Sequence, residues 1–217
     1  MGKTALAAAF AERFAWRWSQ GVWAYSFANE VNSIGFTNAL LAALFGPETA
    51  RQMADWPPLQ KRAAVLEAAK NWDGLWLLDN YESVMQGLAA QQSEAEQIHR
   101  LVSDLANGDA ALLLTSREQP AGLRNERLFP QNAALRGLGE AAGAELFLQH
   151  SVKAKAAPRE HAEFAREIQR AADGHPLAIA LLAGEYDLRA VNQADFLGNW
   201  EVELADARRP GLADHHV

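Results

Sequence analysis

An α/β fold built on a parallel sheet is what this sequence predicts, on three observations. Gly74–Leu78 and Ala110–Leu114 are apolar at every position rather than at alternate ones, as strands covered on both faces are. Segments with the apolar spacing of helices separate the extended stretches. The resulting alternation of strands and helices is that of a doubly wound sheet joined by right-handed crossovers, and ligands in such sheets bind at the carboxyl ends of the strands. Beyond about Leu138 only helical pattern remains, so a small all-helical domain is expected to follow.

Ala5–Trp18 is the first helix, with Leu6, Phe10, Phe14 and Trp18 recurring every four residues as its inward face. Gln20-Gly21 ends it, and Val22–Ala28, rich in β-branched and aromatic residues, is a short strand. Ile34–Phe45 is a helix closed by Gly46-Pro47. Trp56-Pro57-Pro58 breaks the chain, and Leu59–Asn71 is a helix with Leu59, Ala63, Leu66 and Ala69 on one face. The strand Gly74–Leu78 ends at Asp79. Ser93–Ala106 is a helix stopped by Asn107-Gly108, and the strand Ala110–Leu114 leads into Thr115-Ser116-Arg117. In the helical part, Glu140–His150 is followed by a polar linker, Ser151–Ala157. Pro158 then opens a helix to Ala172, as Pro suits a first turn. Asp173-Gly174 stops it, and His175-Pro176 starts an apolar helix through Leu182. The expected division is 1–137 for the α/β domain, 138–198 for the helical domain and 199–217 for a polar linker.

Composition narrows the function classes. Of 217 residues, 49% are apolar and 22% charged, ordinary values for a globular protein. A net charge of −7 with no Lys/Arg run argues against nucleic-acid binding. The absence of Cys excludes disulfides and thiolate metal sites and is compatible with a reducing cytoplasm. No apolar run approaches the roughly 20 residues that span a bilayer. The expectation is a soluble cytoplasmic protein with no membrane or nucleic-acid partner. The seven Trp residues are expected in the core, and His99, His150 and His161, which lack ligand-like spacing, in solvent.

Gly2-Lys3-Thr4, immediately before a helix, matches the closing half of the phosphate-binding loop G-x-x-x-x-G-K-[ST]. In such a loop, backbone N–H groups at a helix N-terminus wrap a phosphate, the Lys ammonium bridges phosphates and the Thr hydroxyl ligates Mg²⁺. Leu75-Trp76-Leu77-Leu78-Asp79 fits the companion element, an apolar strand whose terminal carboxylate holds Mg²⁺, or else an ordinary buried strand ending in an exposed acid. Glu82 serves either to orient a water as general base or to cap the following helix. Asn80 stands where a second acid often serves and cannot accept a proton, which argues against fast hydrolysis. Arg117 is placed to fork onto a γ-phosphate, the alternative being a surface pairing with Glu118 or another acid.

Gly2-Lys3-Thr4, Leu77-Leu78-Asp79-Asn80-Tyr81-Glu82, Leu114-Thr115-Ser116-Arg117 and Gly174-His175-Pro176-Leu177-Ala178, in this order over residues 1 to 185, resemble the NB-ARC and wider STAND group of signalling P-loop NTPases. The resemblance implies a parallel-sheet nucleotide-binding domain followed by a small helical domain, with ATP or ADP and Mg²⁺ as cofactors. It implies that Gly2, Lys3, Thr4 and Pro176 bind nucleotide, Pro176 near the adenine or ribose. Thr4 and Asp79 would hold the metal, while Asp79, Glu82 and Arg117 would carry slow hydrolysis and γ-phosphate sensing. Partners would be further copies of the chain or an effector domain. Relative to the family, the loop's first half, the strand before it and a following winged-helix domain are missing. That pattern points to a start at an internal methionine within a longer parent, and to weak stability and weak nucleotide affinity for these residues alone. The alternative is a truncated, non-binding interaction or relic domain. A metabolic P-loop kinase would need a lid with converging Arg residues, which the sequence lacks.

Overall fold

The structure, a computed structural model, describes residues 2–108, 110–120, 122–123, 135–189 and 192–207, the last seven of these by backbone alone. The chain divides into two units, Lys3–Ala133 and Ala134–Val217, the second also taking in Met1–Gly2.

The first unit is α/β. In chain order it contains α1 (Lys3–Phe14) with a short 3-10 turn (Ala15–Arg17), β1 (Val22–Ser26), α2 (Ser33–Phe45), α3 (Pro47–Gln52) and α4 (Pro58–Ala69). There follow β2 (Leu75–Asp79), α5 (Glu82–Ala89), α6 (Ser93–Ala106) and β3 (Ala111–Leu114). The strands pair in the order β1-β2-β3, all parallel, with Val22 opposite Leu75 and Leu75 opposite Ala111. β2 lies in the middle and is buried at all five positions, which is why its sequence is apolar up to Asp79. β3 is half-buried throughout and, among the described residues, pairs with β2 alone.

Alternate β2 side chains go to opposite faces. Trp76 and Leu78 enter the larger core with Phe27, Phe36, Leu40, Val65, Ile98 and Val102. Leu75 and Leu77 meet Ala7 and Ala11 of α1 on the other face.

Two helices turn faces other than the expected ones inward. On α1, Ala7 and Ala11 are buried, whereas Leu6 is 56% and Phe10 39% exposed. The small side chains let the helix lie close on the sheet, and the large ones sit about 100° around the axis. α1 also stops at Phe14 rather than Trp18, its end tightened by the Trp18 N–H donating to the Ala15 carbonyl at 3.2 Å. On α4, Lys61, Val65 and Ala69 face inward and Leu59 is 79% exposed. Lys61 is tolerated there because its ammonium donates to Asn38 Oδ1 at 3.0 Å and to the Ala54 carbonyl at 2.7 Å. Trp76 is fully buried as expected, but Trp16 is 79% exposed.

The second unit is helical: α7 (Glu140–His150), α8 (Val152–Ala156), α9 (Ala162–Ala171), α10 (Pro176–Leu188) and α11 (Gln193–Ala207). Its core joins Phe147, Phe164, Ile168, Ile179, Leu182, Tyr186 and Phe196. The stretch expected as a linker, Ser151–Ala157, contains α8. Ser151 Oγ accepts from the Ala154 N–H at 3.1 Å and donates to Asp187 Oδ1 at 2.7 Å. Asp187 also accepts from the N–H groups of Val152 and Lys153 at 2.7 and 3.1 Å. Pro158 lies in a turn; α9 starts at Ala162, with His161 at its N-cap.

His161 is only 9% exposed, with Nδ1 2.9 Å from the Ala157 carbonyl and Nε2 3.1 Å from the Tyr186 hydroxyl, so it is a core histidine rather than a solvated one. α10 runs past Leu182 to Leu188, and α11 crosses the expected linker boundary at 198/199; residues 208–217 of that linker lie outside the described residues. The Gly174 of Gly174-His175-Pro176-Leu177 has φ +64°, and a Cβ there would run into the Leu138 carbonyl. His175 Nδ1 accepts from the Ala178 N–H at 3.2 Å, so this His caps α10.

Candidate functional site

Two parallel strands that end level with each other set the geometry. Leu78 pairs with Leu114, so Asp79 and Thr115, the next residues, leave the sheet side by side at its carboxyl end. Thr4, in the first turn of α1, comes to the same point. Its Oγ1 donates to Asp79 Oδ1 at 2.8 Å, across 75 residues of sequence. Thr115 Oγ1 donates to the same oxygen at 2.5 Å. Asp79 is 8% and Thr115 5% exposed. Among the described residues no hydrogen bond reaches Asp79 Oδ2.

The turn after β2 is held from β3. Asn80 adopts φ +57°, in the left-handed region that Asn tolerates better than most residues, and its N–H donates to Thr115 Oγ1 at 3.1 Å. The Tyr81 N–H donates to the Thr115 carbonyl at 2.9 Å. The Tyr81 ring is fully buried, its hydroxyl lies 2.9 Å from His99 Nδ1, and burial raises its pKa well above the ordinary phenol value. His99 is therefore half-buried beside the turn rather than solvated.

Glu82 is the first residue of α5. Its Oε1 lies 3.2 Å from Arg117 Nε, its side chain is 14% exposed, and Oε2 is buried without a hydrogen-bond partner among the described residues. The Arg117 side chain remains 74% exposed, and its acid is Glu82 rather than the neighbouring Glu118.

Gly2 has φ +87° and leads directly into α1, whose first residue is Lys3 and whose first turn carries no acid. No acid of α1 itself faces the positive end of that helix, and Asp79 reaches its first turn through Thr4. Among the described residues the Lys3 ammonium makes no hydrogen bond or ion pair. In this way the structure gathers Thr4, Asp79, Glu82 and Arg117 at one end of the sheet of the first unit. Pro176 belongs to the second unit, as the first residue of α10.

The residue that sequence reasoning passed over is Thr115. Its signal was present: it follows one apolar strand as Asp79 follows the other, and adjacent parallel strands place such residues together. Only the pairing of the two strands reveals it.

The donors near Asp79 are hydroxyl and carboxylate oxygens, the hard ligands that suit Mg²⁺. Among the described residues no group of three or more His, Cys, Asp or Glu gathers. An open recess of about 370 Å³, lined by Phe10, Phe14, Arg17, Trp18 and Asp73, contains none of the candidate site residues. It lies toward the amino ends of the strands, so its size says nothing about the Asp79 site. No described helix is long and apolar enough to cross a membrane.

Fold and site together define an α/β protein with an acid held between two hydroxyls at the carboxyl end of a parallel sheet. Compared with models of known families, with curated proteins and with solved structures, the chain matches none.

Proposed function

We propose that this chain is the nucleotide-binding core of a regulatory ATPase of the NB-ARC/STAND type, which binds ADP or ATP with Mg²⁺. The observation that carries the reading is the 2.8 Å hydrogen bond from Thr4 to Asp79, which joins the closing half of the phosphate loop to its companion acid at the first turn of α1. Backbone N–H groups of the first turn of α1, left without intrahelical partners, receive a phosphate, and the Lys3 ammonium adds charge to it. Thr4 and Asp79 hold the metal, which when bound neutralises phosphate charge. The Glu82 carboxylate, with one oxygen on Arg117 and one unpartnered, is positioned to orient a water. Arg117, mostly exposed and ion-paired only through Nε to Glu82, would reach toward a γ-phosphate by exchanging that partner. Asn80 in place of a second acid keeps hydrolysis slow, as a switch requires. The output is self-association or control of an effector.

Calorimetric titration with ADP and with Mg-ATP tests the reading. Binding that disappears in Lys3→Ala supports it, and absence of binding by the native chain sinks it. A second reading, a non-binding interaction domain, is favoured by β3, which is half-buried and pairs on one side only among the described residues. Cooperative unfolding with a midpoint raised by ADP would exclude that alternative.

A further inference from the structure

Thr115 bonds to four consecutive residues of the neighbouring strand and turn. Its N–H donates to the Leu78 carbonyl at 2.9 Å, and its hydroxyl donates to Asp79 Oδ1 at 2.5 Å. The same hydroxyl accepts from the Asn80 N–H at 3.1 Å, and its carbonyl accepts from the Tyr81 N–H at 2.9 Å. The Asn80 amide settles the direction of the hydroxyl. A backbone N–H can only donate, so it faces an oxygen lone pair, and the single hydroxyl hydrogen is left to point at the carboxylate. The side chain is 5% exposed, so water does not compete for that geometry.

From this we infer that Thr115 is a positioning residue for Asp79. It commits Oδ1 to the hydroxyl pair and fixes the carboxylate rotation, leaving Oδ2 as the oxygen presented to a divalent cation. The inference rests on the nucleotide reading above and adds to it a residue that touches neither nucleotide nor metal. Outer partners of this kind orient a ligating carboxylate, and their loss typically lowers metal affinity by about 10–100-fold. The methyl group of Thr115 has no part in this, so Ser can replace Thr and Val cannot.

ADP affinity measured by calorimetry in Mg²⁺ and in EDTA, for the native chain, Thr115→Val and Thr115→Ser, tests this. The expected result is that Thr115→Val loses about tenfold of the Mg²⁺-dependent gain in affinity, keeps the native affinity in EDTA, and is rescued by Ser. A second readout needs no ligand: amide exchange at Asn80, whose N–H rests on the Thr115 hydroxyl, speeds up in Val and not in Ser. Native Mg²⁺ dependence in Thr115→Val, or an equal loss in Mg²⁺ and EDTA, would overturn the inference while leaving the nucleotide reading intact. Should Val not fold, loss of the Mg²⁺ gain in Thr115→Ser overturns it equally. If the native chain binds no ADP at all, it is the nucleotide reading that fails, and the inference falls with it.

Discussion

Asp79 in the α/β unit and Asp187 in the helical unit are both held by a neighbouring hydroxyl, yet they are completed differently. Asp187 takes the Ser151 hydroxyl and the Lys153 N–H on one oxygen and the Val152 N–H on the other, so both oxygens are used by the protein. Asp79 takes two hydroxyls on Oδ1, and among the described residues nothing on Oδ2. A carboxylate saturated by backbone amides fastens one helix to another. A carboxylate gripped on one side and open on the other is, on the reading proposed above, a ligand. The difference separates a structural acid from a candidate ligand.

Four outcomes break or sharpen this contrast. The largest effect is expected for Asp187→Ala, which leaves the fully buried Ser151 hydroxyl without its acceptor and removes the partner of the first N–H groups of α8. It should cost about 3 kcal/mol in urea unfolding, and a loss below about 1 kcal/mol would contradict the structural assignment. Asp79→Asn should behave oppositely: an isosteric change with stability within about 1 kcal/mol of native, but a loss of about a hundredfold in the Mg²⁺-dependent part of ADP affinity. Ser151→Ala should cost about 1 kcal/mol, the ordinary value of a lost N-cap, read from the same denaturation curves. Smallest is Glu82→Gln, which breaks the ion pair with a largely exposed Arg117 and should change stability by under about 1 kcal/mol, while slowing any ATP turnover by more than that.

Acid should test the Asp187 fastening as well. Burial pulls the Asp187 carboxyl upward, but the donors from Val152, Ser151 and Lys153, with the Lys153 charge, outweigh it and leave the group below the usual carboxylate range. A depressed folded value means its stabilisation is complete above the unfolded value of about 3.9 and is lost as pH falls through the folded one. Thermal unfolding from pH 5 downward should therefore be flatter with pH in Asp187→Asn than in the native chain. Identical slopes would show that the three donors do not stabilise the charged form.

Much of this could be read from the residues. The bounds of α6 and α7 follow from caps and periodicity, and β2 announced itself because a central strand must be apolar on both faces. The faces of α1 and α4 were misread for one reason: the largest apolar side chains were taken to point inward. Ala7, Ala11 and the stem of Lys61 occupy those contacts instead, since close approach and hydrogen bonding decided them rather than size. At the site, Thr4, Asp79, Glu82 and Arg117 were visible as motif positions. Thr115, His161 and the α8–Asp187 fastening were not, because each exists only through a partner more than twenty residues away.

The burial of Lys61 has a consequence for chemistry on this chain. The residue is 8% exposed and its ammonium rests on a side-chain amide and a carbonyl, with no carboxylate in ion-pair reach among the described residues. An amine reacts with an acylating reagent only when it reaches solvent, whereas the side chain of Lys70, 66% exposed, is open at all times. The lag between labelling of Lys70 and of Lys61 is thus a clock built into α4. It times how often the corner formed by α2, the segment after α3, and α4 comes apart while the rest of the sheet stays closed.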